Sequence, residues 1–181
     1  MATTATPAAG TATVGASESP KAQFLRAFEM EHATTMKLLR AYPPDKLDLT
    51  PHPKCKSARE LAWMFALESG LAEKALKNEL KFPPDGPMPS APDSFEAILA
   101  EIEKGSQRVT TLVEKTRDDE LFRTVKFPVA PKTIGDVPTI QFLWFILCDQ
   151  IHHRGQFSIY LRMAGGTVPS IYGPSLDEPW F

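Results

Sequence analysis

The fold of this chain is decided by its longest helical run, residues 139–163, which reads TIQFLWFILCDQIHHRGQFSIYLRM. The run has no proline and is followed by Gly165-Gly166, so we expect a single helix of roughly 38 Å. At 100° per residue, four of its polar side chains fall within about 60° of one another. They are Asp149, His153, Gln156 and Tyr160. Burying polar groups costs free energy unless they bind a partner. This face of the helix is therefore the first candidate for a functional site.

Three further helices are predicted upstream, between proline-rich breaks. The first begins after Pro20 and ends before Pro43, with apolar residues at spacings of three and four. Ser57 and Glu60 have the capping-box spacing that opens a second helix. A third follows a proline-rich loop, with Asp93 as its expected N-terminal cap. Four amphipathic helices without convincing strands predict an all-α fold, a four-helix bundle.

The segments around these helices complete the expected domain organisation. Residues 1–20 contain no Lys or Arg and no sustained apolar stretch, so we expect a disordered tail rather than a secretion signal. Residues 21–181 are expected to form the bundle domain. Within it, residues 121–137 alternate apolar and turn-forming residues, which is typical of a long connection with room for a short strand. After Gly166, an irregular C-terminal segment is expected to lie against the bundle or against a second subunit.

The amino-acid composition limits where the protein is expected to act and which partners it is expected to bind. The 20 Lys and Arg against 22 Asp and Glu give a net charge of -2, from which we expect no nucleic-acid partner. The most apolar run, residues 140–148, is too short for a transmembrane helix, so no membrane association is expected. Cys55 and Cys148 are too few and too far apart for a disulfide framework, which favours the cytoplasm. Their surroundings predict an exposed Cys55 and a buried Cys148.

The polar face of the fourth helix has the chemistry of a metal site. Asp149 and His153 lie one turn apart, so a carboxylate oxygen and an imidazole nitrogen can reach the same divalent ion. A third ligand is expected from Glu68 on the second helix, or from His32 on the first. Other readings stay open for each residue: a hydrogen-bonded pair on the helix surface for Asp149 and His153, an ion pair or solvated side chain for Glu68, and an interior histidine for His32.

Three stretches of the sequence resemble the DinB/YfiT-like family of metal-dependent four-helix bundles. They are PHPKCKSARELAW at 51–63, IHHRGQFSIYLRMAGG at 151–166 and VPSIYGPSLDEPW at 168–180. The resemblance implies an up-down-down-up bundle that is often dimeric. It also implies a metal held by three histidines, one from the second helix and two from the fourth.

The three family ligand positions fall on Met64, Asp149 and His153, so only one of these three positions is a histidine in this chain. A thioether is a weak ligand for zinc or nickel, whereas Asp149 is a suitable one. Two outcomes follow from this departure. The site is either rearranged to use Asp149, His153 and Glu68, or lost while the bundle and its pocket remain.

The functional expectations follow these two outcomes. The first expectation is a non-catalytic or metal-poor binding or stress-related module. The alternative is a divalent-metal-dependent enzyme that uses Asp149 and His153, either a thiol transferase or isomerase, as the family resemblance implies, or a hydrolase. The cofactor is one zinc, nickel or manganese ion, or none. The expected partners are a second copy of the chain and a small-molecule or thiol ligand. The residues expected around the pocket are Met64, Gln156, Tyr160 and His32.

Overall fold

The computed structural model describes residues 18–181, and the tail predicted for residues 1–20 falls almost wholly outside them. Four long helices account for most of the described chain, as predicted. They are α1 (Pro20–Arg40), α2 (Ala58–Leu76), α3 (Phe95–Lys115) and α4 (Thr139–Met163). Short 3-10 turns lie at Pro44–Lys46 and Glu120–Phe122. No helix of this described part is long and apolar enough to cross a membrane.

Serine side chains begin the first three helices. Ser57 accepts a hydrogen bond from the Glu60 N–H, and the Glu60 carboxylate accepts one from the Ser57 N–H, so the predicted capping box is present. The cap of α3 is Ser94 rather than the predicted Asp93, one residue later. Serine and aspartate both accept the unpaired N–H groups of a first turn, so the sequence pattern located this start only to within a residue.

The connection between α3 and α4 is an antiparallel hairpin of β1 (Thr124–Ala130) and β2 (Thr133–Pro138). The structure is mostly helical, as expected, but two paired strands occupy the segment that was predicted to have room for one short strand. The sheet is attached to the bundle through Phe127, whose ring centroid lies 4.9 Å from that of Phe142.

The helices form a ring in which α2 packs on α3 and α4, while α1 packs on α4 and α3. Their apolar residues make two buried clusters. Leu39, Phe65 and Phe157 belong to one cluster, and Phe28 and Leu143 to the other.

Between these two clusters every helix contributes buried polar side chains, which we call the polar layer. Its members are Glu31, Thr35, Glu68, Ser69, Ser106, Gln150 and Arg154. Burying such groups is costly unless they find partners, so the layer is where a use for them should be sought.

The C-terminal segment after α4 lies against the bundle. Asp177 makes an ion pair with Arg162 of α4 at 2.6 Å. Glu178 makes one with Lys37 of α1 at 2.9 Å and also accepts a hydrogen bond from the Ser170 N–H. These contacts select the first of the two alternatives left open for this segment.

Cys148 is exposed, contrary to the prediction that it is buried. The apolar residues of α4 are spread around all sides of the helix, so some of them face solvent. Phe145 and Ile159 are about half exposed, at 49% and 59%. With apolar residues on every side, the sequence could not indicate which face of α4 is buried.

Candidate metal centre

Glu68 of α2 and Asp149 and His153 of α4 meet in the polar layer. One ligand atom from each lies within 4.8 Å of the other two. Asp149 and His153 are one turn apart on α4 and therefore project to the same side. Glu68 reaches them because α2 and α4 pack directly on each other. We call these three residues the metal centre.

The atoms of this centre lack ordinary partners. Glu68 is only 2% exposed, and neither of its carboxylate oxygens has a hydrogen-bond partner. Nδ1 of His153 lies 2.6 Å from Oε1 of Glu68, but the contact does not have hydrogen-bond geometry, so Nδ1 is also unpartnered. When the imidazole is protonated, the contact is an ion pair; when both groups are deprotonated, the converging ligand atoms have no donor and fit a divalent ion.

The electrostatics of the centre follow from burial and mutual contact. Burial raises the pKa of the Glu68 carboxyl to about 7, and contact with His153 opposes that rise. The Glu68 carboxylate raises the pKa of His153, against the opposing effect of the imidazole's own burial. A metal ion requires both groups deprotonated, so ion binding here competes with protons near neutral pH.

The family ligand position on α2, Met64, is half-buried and is not one of the three converging residues. Glu68 lies one turn further along the same helix. The role that the resemblance assigns to a histidine at position 64 is therefore available from a carboxylate at position 68. Glu68, Asp149 and His153 are the ligands expected from the sequence, and the structure brings these three together.

A cavity of about 520 Å³ opens beside His153. It is lined by Pro51, Lys54, Cys55, Lys56, Leu61, His153, Gln156, Ile159 and Tyr160. The Tyr160 hydroxyl donates a hydrogen bond of 2.9 Å to the Lys56 carbonyl, and burial raises its pKa. The Gln156 amide lies 3.0 Å from a ring nitrogen of His152. Gln156 and Tyr160, two of the predicted pocket residues, thus share this cavity, which we call the His153 cavity.

His32 lies elsewhere. Its Nε2 is 3.9 Å from Oε1 of Glu103, on α3, and burial lowers its pKa. It is neither in the metal centre nor among the residues that line the His153 cavity. His32 is partly buried, and its position in the sequence could not indicate which neighbouring helix it meets.

Arg154, which the sequence did not single out, is only 1% exposed. Its guanidinium lies 2.7 Å from the Glu31 carboxylate and donates to the Tyr172 hydroxyl of the C-terminal segment. The Tyr172 hydroxyl in turn donates to Glu31 at 2.8 Å. Arg154 shares the buried face of α4 with Phe157 and Leu161, three and seven residues further on, but apolar residues lie on every side of this helix and the sequence alone did not mark that face.

Fold and site together define a class: a four-helix bundle whose second and fourth helices converge on a candidate metal centre. The chain belongs to the DinB family, whose model matches residues 10–180. It is 29% identical over 157 residues to the uncharacterised protein YrdA of Bacillus subtilis, a match that covers 86% of this chain and 89% of that protein.

Solved structures share the fold. A DinB-like protein from Bacillus cereus ATCC 10987 superposes with a TM-score of 0.67 at 23% identity, over 82% of this chain and 95% of that one. The colibactin self-resistance protein ClbS, in complex with a double-stranded DNA, superposes with a TM-score of 0.59 at 15% identity, over 82% and 98%.

The ClbS complex corrects one expectation. Net charge had been used to exclude nucleic acid as a partner, and that exclusion is wrong, because a protein with this fold has been crystallised with DNA. The physical reason is that net charge averages the whole surface, whereas contacts to phosphates depend on where the cationic side chains lie.

Proposed function

We propose that this protein is a divalent-metal-dependent enzyme that acts on a small molecule in the His153 cavity. The observation that carries the proposal is the convergence of Glu68, Asp149 and His153 within 4.8 Å, with buried carboxylate oxygens that lack partners. One imidazole and two carboxylates suit manganese, zinc or nickel.

Two carboxylates also neutralise a divalent ion, which lowers the cost of holding it in a buried position. When bound, such an ion lowers the pKa of a water or thiol beside it and thereby supplies a nucleophile at neutral pH. We infer a hydrolase or a thiol-dependent transferase or isomerase as the reaction class.

The residues of the cavity would bind and orient the substrate. Tyr160 is held by its hydrogen bond to the Lys56 carbonyl, which leaves the phenol oxygen able to accept a hydrogen bond. Gln156 is exposed and offers both a donor and an acceptor at the cavity wall. Leu61 and Ile159 give the same cavity an apolar side.

We infer the family's up-down-down-up order for the four helices. Contacts between Phe24 and Trp144 and between Glu31 and Arg154 run in the same direction along α1 and α4. The contact of Tyr160 with Lys56, beside that of His153 with Glu68, runs in opposite directions along α4 and α2. Both cysteines are free, which agrees with the reducing cytoplasm as the place of action.

A second candidate is a binding or stress-related module that keeps the bundle without an ion. The observation that favours it is the close approach of Glu68 and His153, at 2.6 Å, since a charged pair could satisfy itself. Under this candidate Met64 simply packs, and the centre contributes to stability rather than to chemistry.

Metal titration separates the two candidates. Untagged protein is stripped with a chelator and titrated with Mn²⁺, Zn²⁺ and Ni²⁺ by calorimetry. We expect one ion per chain, with affinity reduced at least a hundredfold in Glu68→Gln and in His153→Ala. The matched control is Met64→Leu, which removes the thioether at the family position and should bind as the wild type does. A stoichiometry far below one for all three ions would leave the second candidate.

A further inference from the structure

Two lysines share the His153 cavity with the edge of the metal centre. Lys54 and Lys56 belong to the loop before α2 and line the cavity together with His153 and Tyr160. The 2.9 Å hydrogen bond from Tyr160 fixes the backbone of Lys56 at the cavity wall. Two lysines and a histidine of the metal centre therefore line one space of about 520 Å³.

Two carboxylates close to Lys54 and Lys56 in the sequence make contacts of their own. Asp48 makes an ion pair with Arg59 at 3.3 Å. The Glu60 carboxylate caps α2 through hydrogen bonds to the Ser57 N–H and hydroxyl, at 2.7 and 3.0 Å.

Within residues 18–181, neither Lys54 nor Lys56 makes an ion pair.

The net charge of the metal centre affects which ligands the two lysines bind. Without an ion, the two carboxylates of the centre offset two ammonium charges. With a divalent ion bound, the carboxylates of the centre are neutralised by the ion, and the charges of the two exposed lysines are then offset in part by the Glu60 carboxylate, on which Lys56 acts. The remaining positive charge at the cavity favours an anionic ligand.

We propose that Lys54 and Lys56 form an anion-binding subsite, which holds a phosphate or carboxylate group of the substrate beside the metal centre. This inference rests on the proposed function and assigns it a substrate class, a molecule with an anionic oxygen group. The binding of the ion and of the anion is coupled, so each increases the affinity for the other.

Inorganic phosphate is the probe for this subsite. Protein loaded with Mn²⁺ is titrated with phosphate, and the paramagnetic relaxation of the ³¹P signal reports phosphate close to the ion. Compared with wild type, the double variant Lys54→Met and Lys56→Met should bind phosphate at least tenfold more weakly. Lys115→Met, at the C-terminal end of α3 and outside the cavity, is the matched control and should bind phosphate as the wild type does.

Manganese stoichiometry is measured first in every variant. If no variant binds the ion, the proposed function fails and the subsite fails with it. If the ion binds throughout but phosphate affinity is the same in wild type and double variant, the subsite alone is overturned. If phosphate binds equally to loaded and stripped protein, the proposed coupling is overturned.

A second arm identifies the source of the anion, since a small molecule and a nucleic-acid backbone offer the same phosphate chemistry. A short DNA duplex is added as a competitor to phosphate on the loaded wild type. Competition that is lost in the lysine double variant assigns the subsite to a backbone phosphate. A lysine-dependent phosphate site that the duplex leaves undisturbed assigns it to a small molecule.

Discussion

At the scale of single residues, the proposed function depends most on Glu68. It is a nearly fully buried carboxylate that lies close to Asp149 and His153. A buried acid with this neighbourhood is expensive to keep ionised, which is why its pKa rises to about 7. A divalent ion is the partner that would repay that cost.

We predict that metal affinity depends on pH through Glu68. The folded protein holds a proton on this carboxyl below about pH 7, and the ion has to displace it. Affinity should therefore fall about tenfold for each pH unit below 7, and more steeply once His153 is also protonated. Calorimetric titrations between pH 5.5 and 8 measure this slope. A flat profile over that range would mean that Glu68 is not a ligand.

At the scale of secondary-structure elements, the C-terminal segment is tied to α1 by Glu178. Hydrogen bonds from the Ser170 N–H, together with Lys37 and the Ser170 hydroxyl, lower the pKa of Glu178 to about 2. A depressed pKa means that the ionised carboxylate favours the docked segment. This contribution is complete above the ordinary value of 4.5 and is lost as pH falls towards 2.

We predict that Glu178→Gln loosens the C-terminal segment without unfolding the bundle. Backbone amides of residues 168–180 should exchange with deuterium several-fold faster at pH 7, while those of the helices are unchanged. Glu29→Gln, an exposed change on α1, is the control. Wild type should approach the variant's exchange pattern in acid, after correction for intrinsic rates. Equal exchange in variant and wild type at pH 7 would contradict the role of this ion pair.

At the scale of the whole molecule, the polar layer divides the bundle core and contains both the metal centre and the Arg154 ion pair. Arg154 joins α4 to α1 through Glu31 and to the C-terminal segment through Tyr172. Both charged side chains are largely removed from water, so each depends on the other.

We predict that Arg154→Met destabilises the protein by about 3 to 5 kcal/mol, because it leaves the Glu31 carboxylate buried without its partner. Chemical denaturation of Arg154→Met, Glu31→Gln and the double variant measures the coupling. The double variant should be less destabilised than the sum of the two single changes. Additive effects would show that the pair is not coupled.

Much of the architecture could be predicted from the amino-acid sequence alone. Proline breaks and the Ser57 and Glu60 capping box gave the helix limits to within a few residues, because these signals act through the local backbone alone. The Asp149 and His153 pair was equally readable, since residues one turn apart on a helix share a face whatever the helix packs against.

The tertiary structure decided which residues from different elements meet. It brought Glu68, rather than His32 or Met64, to Asp149 and His153, and it buried Arg154 against Glu31. It paired two strands in the predicted connection and exposed Cys148. These outcomes depend on how helices rotate and pack against one another. The rotation of each helix depends on the packing of the whole core. On α4, apolar residues are spread around all sides, so no local sequence pattern indicates the rotation of that helix.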